Sequence, residues 1–419
     1  RVFTLLLLVL REVAGTCGAR LAELQRHLSD FGLAAFLPRL LDYEDPTLLR
    51  TAMSFLAELA DAPLALQLVR RGALLRLPRF IGAREFTVVF ALLNRLCAFP
   101  AVRAELAAHG YLLRALVGAL EQHQIGLTLQ TLNLLSLEPA VVAGLVEADL
   151  DAALVGLLAL FVRKDAETVE KNRLLWNVAV NLASHACFAD RVLRVGAFRG
   201  VAEALLRTRS PSGLRFLENV FCFARDAAAK AAHGELSALL LEQLERCEEG
   251  DAAAPRLLNV LAETYALGDR RPITALMRLA KKQPSPRLLL AALNFLNKAL
   301  FRPHFDREAV SAQVVEHVRR RFPPAALEPE ARFQLLFFLV NLVVARRGRF
   351  AFEEFLALAQ GFPQRDIRFL GFALAAFDVF LARAEGEPQA AAVRFGNQML
   401  EVVVVAQPGI DAVVVGGVV

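Results

Sequence analysis

Lysine is almost missing from this chain of 419 residues: it occurs six times, leaving 42 of the 48 cations as arginine. Tryptophan appears once, and tyrosine and methionine three times each. The five cysteines (Cys17, Cys97, Cys187, Cys222 and Cys247) are far apart and form no C-x-x-C pair. An odd, dispersed set excludes a disulfide framework and points to a reducing compartment, with the thiols as small buried hydrophobes. Long apolar runs are absent too. Val2–Leu10, Ala152–Val162 and Leu335–Ala345 (broken by Asn341) fall short of the roughly 18–20 residues a bilayer requires, so no membrane span is expected. The opening run has no initiating Met and continues into Arg11–Ala14, as a buried helix would rather than a signal peptide.

Catalytic signatures are missing as well. The chain contains no G-x-x-x-x-G-K-[ST], G-x-G-x-x-G, G-x-S-x-G or H-E-x-x-H. His185 and Cys187 form the nearest approach to a metal pair, but no second pair stands at ligand spacing. The expectation is a protein with no catalytic residues, no metal and no cofactor. A net charge of +5, spread along the chain, is too small to argue for nucleic acid.

What the chain does contain is repetition. Hydrophobic residues make up 56% of it, above the usual share of about half, as expected for helices buried on more than one side. Glycines recur at fixed steps: Gly32 to Gly72 is 40 residues, Gly72 to Gly110 is 38, and Gly196 to Gly234 is 38. Asn94, Asn133, Asn181, Asn219, Asn259, Asn297 and Asn341 follow at 39, 48, 38, 40, 38 and 44. Apolar residues at 3- and 4-residue steps predict long helices over 47–60, 87–98, 126–137, 170–185, 212–225, 255–267, 286–300 and 331–345. Shorter helices are predicted over 33–41, 64–71 and 73–80. Prolines at Pro46, Pro211 and Pro286 introduce long helices, because a first helical turn tolerates proline and an interior does not. Recurrence near 40 residues in a helical pattern predicts stacked helical repeats, about nine or ten of them. The expected fold is all-α, a right-handed α-solenoid over residues 1–400, clear over about 5–300 and looser over 301–400. The valine-rich stretch 401–419 has no helical period and is set apart as an irregular tail.

The phrase Leu68-Val-Arg-Arg-Gly-Ala-Leu-Leu-Arg-Leu77, its looser copy Val192-Leu-Arg-Val-Gly-Ala-Phe198, and Val180-Asn-Leu-Ala183 resemble the armadillo repeat. That resemblance implies a concave groove lined by the third helix of each repeat, with an asparagine ladder bonding the backbone of an extended partner. The groove residues it implies are Asn94, Asn133, Asn181, Asn219, Asn259 and Asn297, with Trp176 and Arg215 beside them. The residues alone leave a second reading open, in which these amides tie adjacent repeats together. Nuclear-import adaptors carry a tryptophan four residues before each asparagine. Here those positions hold Phe90, Leu129, Asn177, Arg215 and Pro255, so import is not the expected role. The stretches Arg173–Ala183 and Phe216–Asp226 are similar to the armadillo accessory subunit of heterotrimeric kinesins and to armadillo proteins of cilia.

Two tight basic clusters, Arg319-Arg320-Arg321 and Arg346-Arg347-Gly-Arg349, are candidate docking points for an acidic segment. Thirty phenylalanines, crowded at 216–223, 337–338 and 369–380, suggest a further partner interface. The reading is a non-catalytic scaffold that binds an extended or acidic protein segment along its groove, as part of a larger assembly. Its expected place is intracellular, in a reducing compartment, either cytoplasmic or cytoskeletal and ciliary. The alternative is a structural accessory subunit buried in a permanent complex.

Overall fold

The computed structural model describes residues 37–83, 87–121, 125–162, 172–248, 250–265, 271–279 and 285–301, with isolated positions on either side. Among these residues there are helices and turns and no strand. The contacts divide the chain into two units, Arg1–Lys230 and Ala231–Val419.

In the first unit the long helices are α1 (Pro46–Leu59), α4 (Val88–Cys97), α7 (Ile125–Leu135), α10 (Arg173–Ala183) and α13 (Pro211–Phe223). Three of their starts are written in the sequence. Asp45 Oδ1 accepts from the amides of Thr47 and Leu48 at 2.8 and 3.2 Å, and Pro46 follows it. Asn172 Oδ1 caps Leu175 N at 3.2 Å, and Ser210 Oγ caps Gly213 N at 3.0 Å. Each cap satisfies an amide that the helix itself leaves unbonded.

The remaining helices fill the intervals. They are α2 (Ala62–Arg70), α3 (Ala73–Arg76), α5 (Pro100–Leu106), α6 (Gly110–Gly118), α8 (Pro139–Glu147), α9 (Leu150–Val162), α11 (Ala186–Val192), α12 (Phe198–Thr208) and α14 (Ala227–Ala231). The helix predicted over 73–80 is split by Pro78, whose missing amide ends α3 and starts a 3-10 turn at Pro78–Phe80. Of the helix predicted over 33–41, the described part is a 3-10 turn, Leu37–Asp42.

Three layers result. The long helices pack in chain order, α1 on α4, α4 on α7, α7 on α10 and α10 on α13. A second layer runs α2, α5, α8 and α11. In a third, α3 meets α6 and α9 meets α12, with the 3-10 turn Ala119–Glu121 between α6 and α9. Phe55, Phe90, Phe188, Phe198, Phe216 and Phe221 are fully buried between the layers.

The recurring glycine has different uses in different repeats. Gly72 precedes α3 at φ +84°, in the left-handed region, and a Cβ there would lie 3.1 Å from Arg76 Nη1. At Gly196 a Cβ would meet open space. Gly72→Ala is expected to cost about 1–2 kcal/mol through the left-handed backbone, and Gly196→Ala close to nothing. Denaturant midpoints of the two variants check this, and equal midpoints would contradict it.

The second unit contains α15 (Leu236–Glu245), α16 (Ala253–Thr264), α17 (Arg271–Leu279) and α18 (Pro286–Ala299). Here α16 lies on α18, and α15 meets both α16 and α17. Tyr265 and Phe295 pack edge to face with centroids 5.5 Å apart. The helix predicted over 331–345 is described only at Ala331, Gln334, Leu335, Phe337 and Phe338, and Asn341 lies outside the described residues. The valine-rich tail also lies outside them.

Candidate partner-binding face

The long helices of the first unit each bury one side and present the other. In α7 the exposed or half-buried positions include Gln130, Asn133 and Leu134; in α10 they are Arg173, Leu174, Asn177 and Asn181; in α13 they include Arg215, Glu218, Asn219 and Cys222. Asn94 is half-buried on α4. The side chains accessible here are therefore rich in amides.

Most of the ladder asparagines reach a neighbouring repeat. Asn94 Oδ1 accepts from Thr131 Oγ1 at 2.8 Å, and its Nδ2 faces Gln130 Oε1 at 3.5 Å. Asn181 Nδ2 donates to Ser136 Oγ at 3.3 Å, and Asn219 Nδ2 donates to the Val180 carbonyl at 3.0 Å. In the second unit Asn294 Nδ2 donates to Asn259 Oδ1 at 3.1 Å. Asn133 and Asn177 show no side-chain hydrogen bond among the described residues, and Asn177 is exposed. An amide offers two donors and two acceptor sites, so one inter-repeat bond leaves capacity at the surface.

Two of the expected groove residues are corrected. Trp176 is buried, at 3% exposure, with its ring 6.3 Å from that of Phe216. It faces the core because the exposed edge of α10 runs through Arg173, Asn177 and Asn181, and Asn177 takes the outward place. Asn297 is buried at 5% and donates to the carbonyl and side chain of Gln334 at 3.4 and 3.5 Å. Arg215 is exposed on α13. Arg319, Arg320, Arg321, Arg346, Arg347 and Arg349 lie outside the described residues. The crowd at 216–223 is mainly core, since Phe216 and Phe221 are fully buried and only Phe223 is exposed.

The arginines have an internal task that composition did not disclose. Arg95 Nε donates to the Ala60 carbonyl at the end of α1, at 2.7 Å. Arg103 Nη1 donates to the Cys97 carbonyl at the end of α4, at 2.8 Å, and Arg278 Nη2 to the Leu244 carbonyl at 3.2 Å. A cation at a helix C-terminus meets both the unbonded carbonyls and the negative end of the dipole. His185 places Nε2 3.0 Å from the Ser136 carbonyl in the preceding repeat. Asp190 Oδ1 accepts from the amides of Arg225 and Asp226 at 2.7 and 2.9 Å, ahead of α14.

Arg191 on α11 stands between two carboxylates. It bonds Asp149 Oδ1 at 2.8 Å and lies 3.4 Å from Asp151 Oδ2. Asp149 takes φ +62°, which an aspartate tolerates, and this turn brings both acids to one cation. Burial pushes the Asp151 carboxyl above its usual range, against the pull of Arg191. Asp42 is held below its usual value by the Arg76 guanidinium 2.7 Å away.

Two of the thiols are poor nucleophiles. Cys97 is fully buried and pushed up to about 12 by that burial. Cys187 reaches the surface, yet burial still raises its thiol. Among the described residues no three His, Cys, Asp or Glu side chains gather as a metal site would need, and no helix is long and apolar enough to cross a membrane.

No family model matches the chain, and no curated protein matches it. Solved structures do. SYS-1, solved at 2.6 Å, aligns with 95% of this chain and 86% of its own at 13% identity, with a TM-score of 0.55. A chain from the structure on a conserved phosphorylation switch controlling the interaction between cadherin and β-catenin aligns with 88% of this chain and 72% of its own. Its identity is 16% and its TM-score 0.53. Helical layers with a recurring asparagine on the long helix, in the likeness of these structures, make the fold of this chain an α-solenoid of armadillo-like repeats.

Proposed function

We propose that the chain is a non-catalytic scaffold that grips an extended protein segment on the face formed by α4, α7, α10 and α13. The observation that carries this reading is the row of Asn94, Gln130, Asn133, Asn177, Asn181 and Asn219, half-buried or exposed on one layer of helices. Amides bond a peptide backbone whatever its side chains, so such a row suits an extended partner. The similar structures support it by analogy, since one concerns the binding of cadherin to β-catenin. A cytoskeletal or ciliary setting rests on the resemblance of Arg173–Ala183 and Phe216–Asp226 alone.

Asn133 and Asn177 separate grip from architecture, because neither bonds another repeat among the described residues. Asn133→Ala with Asn177→Ala is expected to weaken the partner roughly tenfold or more, from one backbone hydrogen bond lost at each site, and to leave the unfolding midpoint in place. Quantitative capture of native partners by the wild type and this variant reads the result. Undiminished capture would remove the face from consideration.

A second reading, a subunit buried in a permanent complex, has its own support. Leu75, Tyr111 and Leu160 are 68, 77 and 62% exposed on α3, α6 and α9, all in the third layer. Recovery from cells only as a stoichiometric large assembly would favour it.

A further inference from the structure

The first unit uses many of its arginines internally. Arg95 and Arg103 hold helix-end carbonyls, and Arg191, Arg194, Arg199 and Arg207 each lie within 3.4 Å of a carboxylate oxygen. Arg173 on α10 and Arg215 on α13 differ. Both are exposed, and neither forms a hydrogen bond or an ion pair among the described residues.

Two contacts set the level of α13 against α10. The rings of Trp176 and Phe216 are 6.3 Å apart, and Asn219 Nδ2 meets the Val180 carbonyl at 3.0 Å. Each contact joins residues 39 or 40 positions apart in the chain, so the two helices run in the same direction. By this register Arg215 comes level with residues 175–176, inside the turn that runs from Arg173 to Asn177. Arg173, Asn177 and Asn181 follow at four-residue steps within α10, as Arg215 and Asn219 do within α13, so each set shares one side of its helix. All five are exposed or half-buried. Two guanidiniums therefore flank Asn177, whose amide has no side-chain hydrogen bond among the described residues. The one acid in either helix is Glu218, and it is not paired with Arg215.

Amides grip a peptide backbone without regard to its side chains, so the asparagines alone choose no sequence. A pair of unpaired guanidiniums does choose. Their planar forks match the two oxygens of a carboxylate, and their charges repel a basic side chain.

We propose that the extended segment held on this face carries an aspartate or glutamate whose carboxylate lies between Arg173 and Arg215, beside the backbone that Asn177 bonds. This rests on the reading of the face as a gripping surface and adds its selectivity.

The test selects random dodecapeptides displayed on phage against the full chain. Peptides enriched on the wild type are expected to share an Asp or Glu. In fluorescence anisotropy, changing that acid of a labelled peptide to its amide should weaken binding to the wild type about tenfold, the loss of a charge-assisted contact. The same change should cost less than about twofold on Arg173→Gln with Arg215→Gln, and selection on Arg173→Glu with Arg215→Glu should enrich Lys or Arg instead. Added salt should weaken the acidic peptide and leave its amide form nearly unmoved. Both arginines are exposed, so the unfolding midpoint of each variant should hold.

Peptides that lose binding in Asn133→Ala with Asn177→Ala, yet ignore their acid and both arginine variants, overturn the carboxylate inference and leave the gripping face standing. Acidic peptides that bind the glutamine variant as well as the wild type also overturn it, as does a selection that enriches nothing. The gripping face itself falls separately, if native partners stay with the asparagine variant.

Discussion

Replacing Arg191 by alanine is expected to destabilise the first unit by about 3 kcal/mol at neutral pH. That is the low end for removing one partner of a buried ion pair, because the arginine side chain is itself 47% exposed. Asp151 would be left with its side chain 4% exposed, and its Oδ1 already has no hydrogen-bond partner among the described residues. The pH dependence has a definite sign. Burial raises the Asp151 pKa in the folded chain, so between the ordinary carboxylate value near 3.9 and the raised folded value the native state holds a proton that the unfolded state has released. Stability from this group therefore falls as pH rises through that window. Without Arg191 the window extends upward, so the deficit of Arg191→Ala should be small at pH 4.5 and grow toward pH 7.5. Asp151→Asn removes the charge that requires the arginine, and the double variant should recover most of the loss at pH 7.5. Denaturant unfolding of the four chains at both pH values checks this. Equal deficits at the two pH values would mean that the arginine acts through packing.

Phe216→Ala is expected to cost about 3–5 kcal/mol, the range for emptying the site of a fully buried aromatic. The ring is fully buried on α13, 6.3 Å from Trp176 on α10 and 6.4 Å from Phe198 on α12. It joins the long-helix layer to the third layer, so the surrounding helices cannot close the gap without giving up contacts of their own. Phe223→Ala, seven residues along the same helix and 47% exposed, should be close to neutral for folding. The contrast is measurable as two unfolding midpoints. If the variants prove equal, the assignment of inner and outer sides on α13 is wrong.

The long helices were legible from the apolar period, and several state their starts a second time in their caps. Asp45-Pro46, Ser210-Pro211 and Ser285-Pro286 each place a side-chain acceptor before a proline, and each opens a helix. The phase of each helix was harder to read. Trp176 and Asn177 are neighbours, and which of them faces outward depends on a rotation of 100° that only packing against Phe216 decides. Cross-repeat bonds were harder still. The step from Asn219 to the Val180 carbonyl spans 39 residues, and no local pattern encodes the level at which two separate helices meet. The surplus of arginine over lysine was visible, but its use as a donor to the carbonyl ends of other helices was not, because it depends on where Ala60 and Cys97 come to rest.

The cross-repeat bonds join nearest neighbours: Arg95 to Ala60, Asn181 to Ser136, Asn219 to Val180. Links arranged this way are coupled in series. Under a pulling force each bears the whole load, so the weakest yields first and its failure does not overload the rest. A repeat of about 38 residues releases roughly 13 nm of chain when it opens, at about 3.5 Å per residue. Stretched from its ends, the first unit would lengthen in discrete steps of that size, letting out slack under tension while the remaining repeats stay folded.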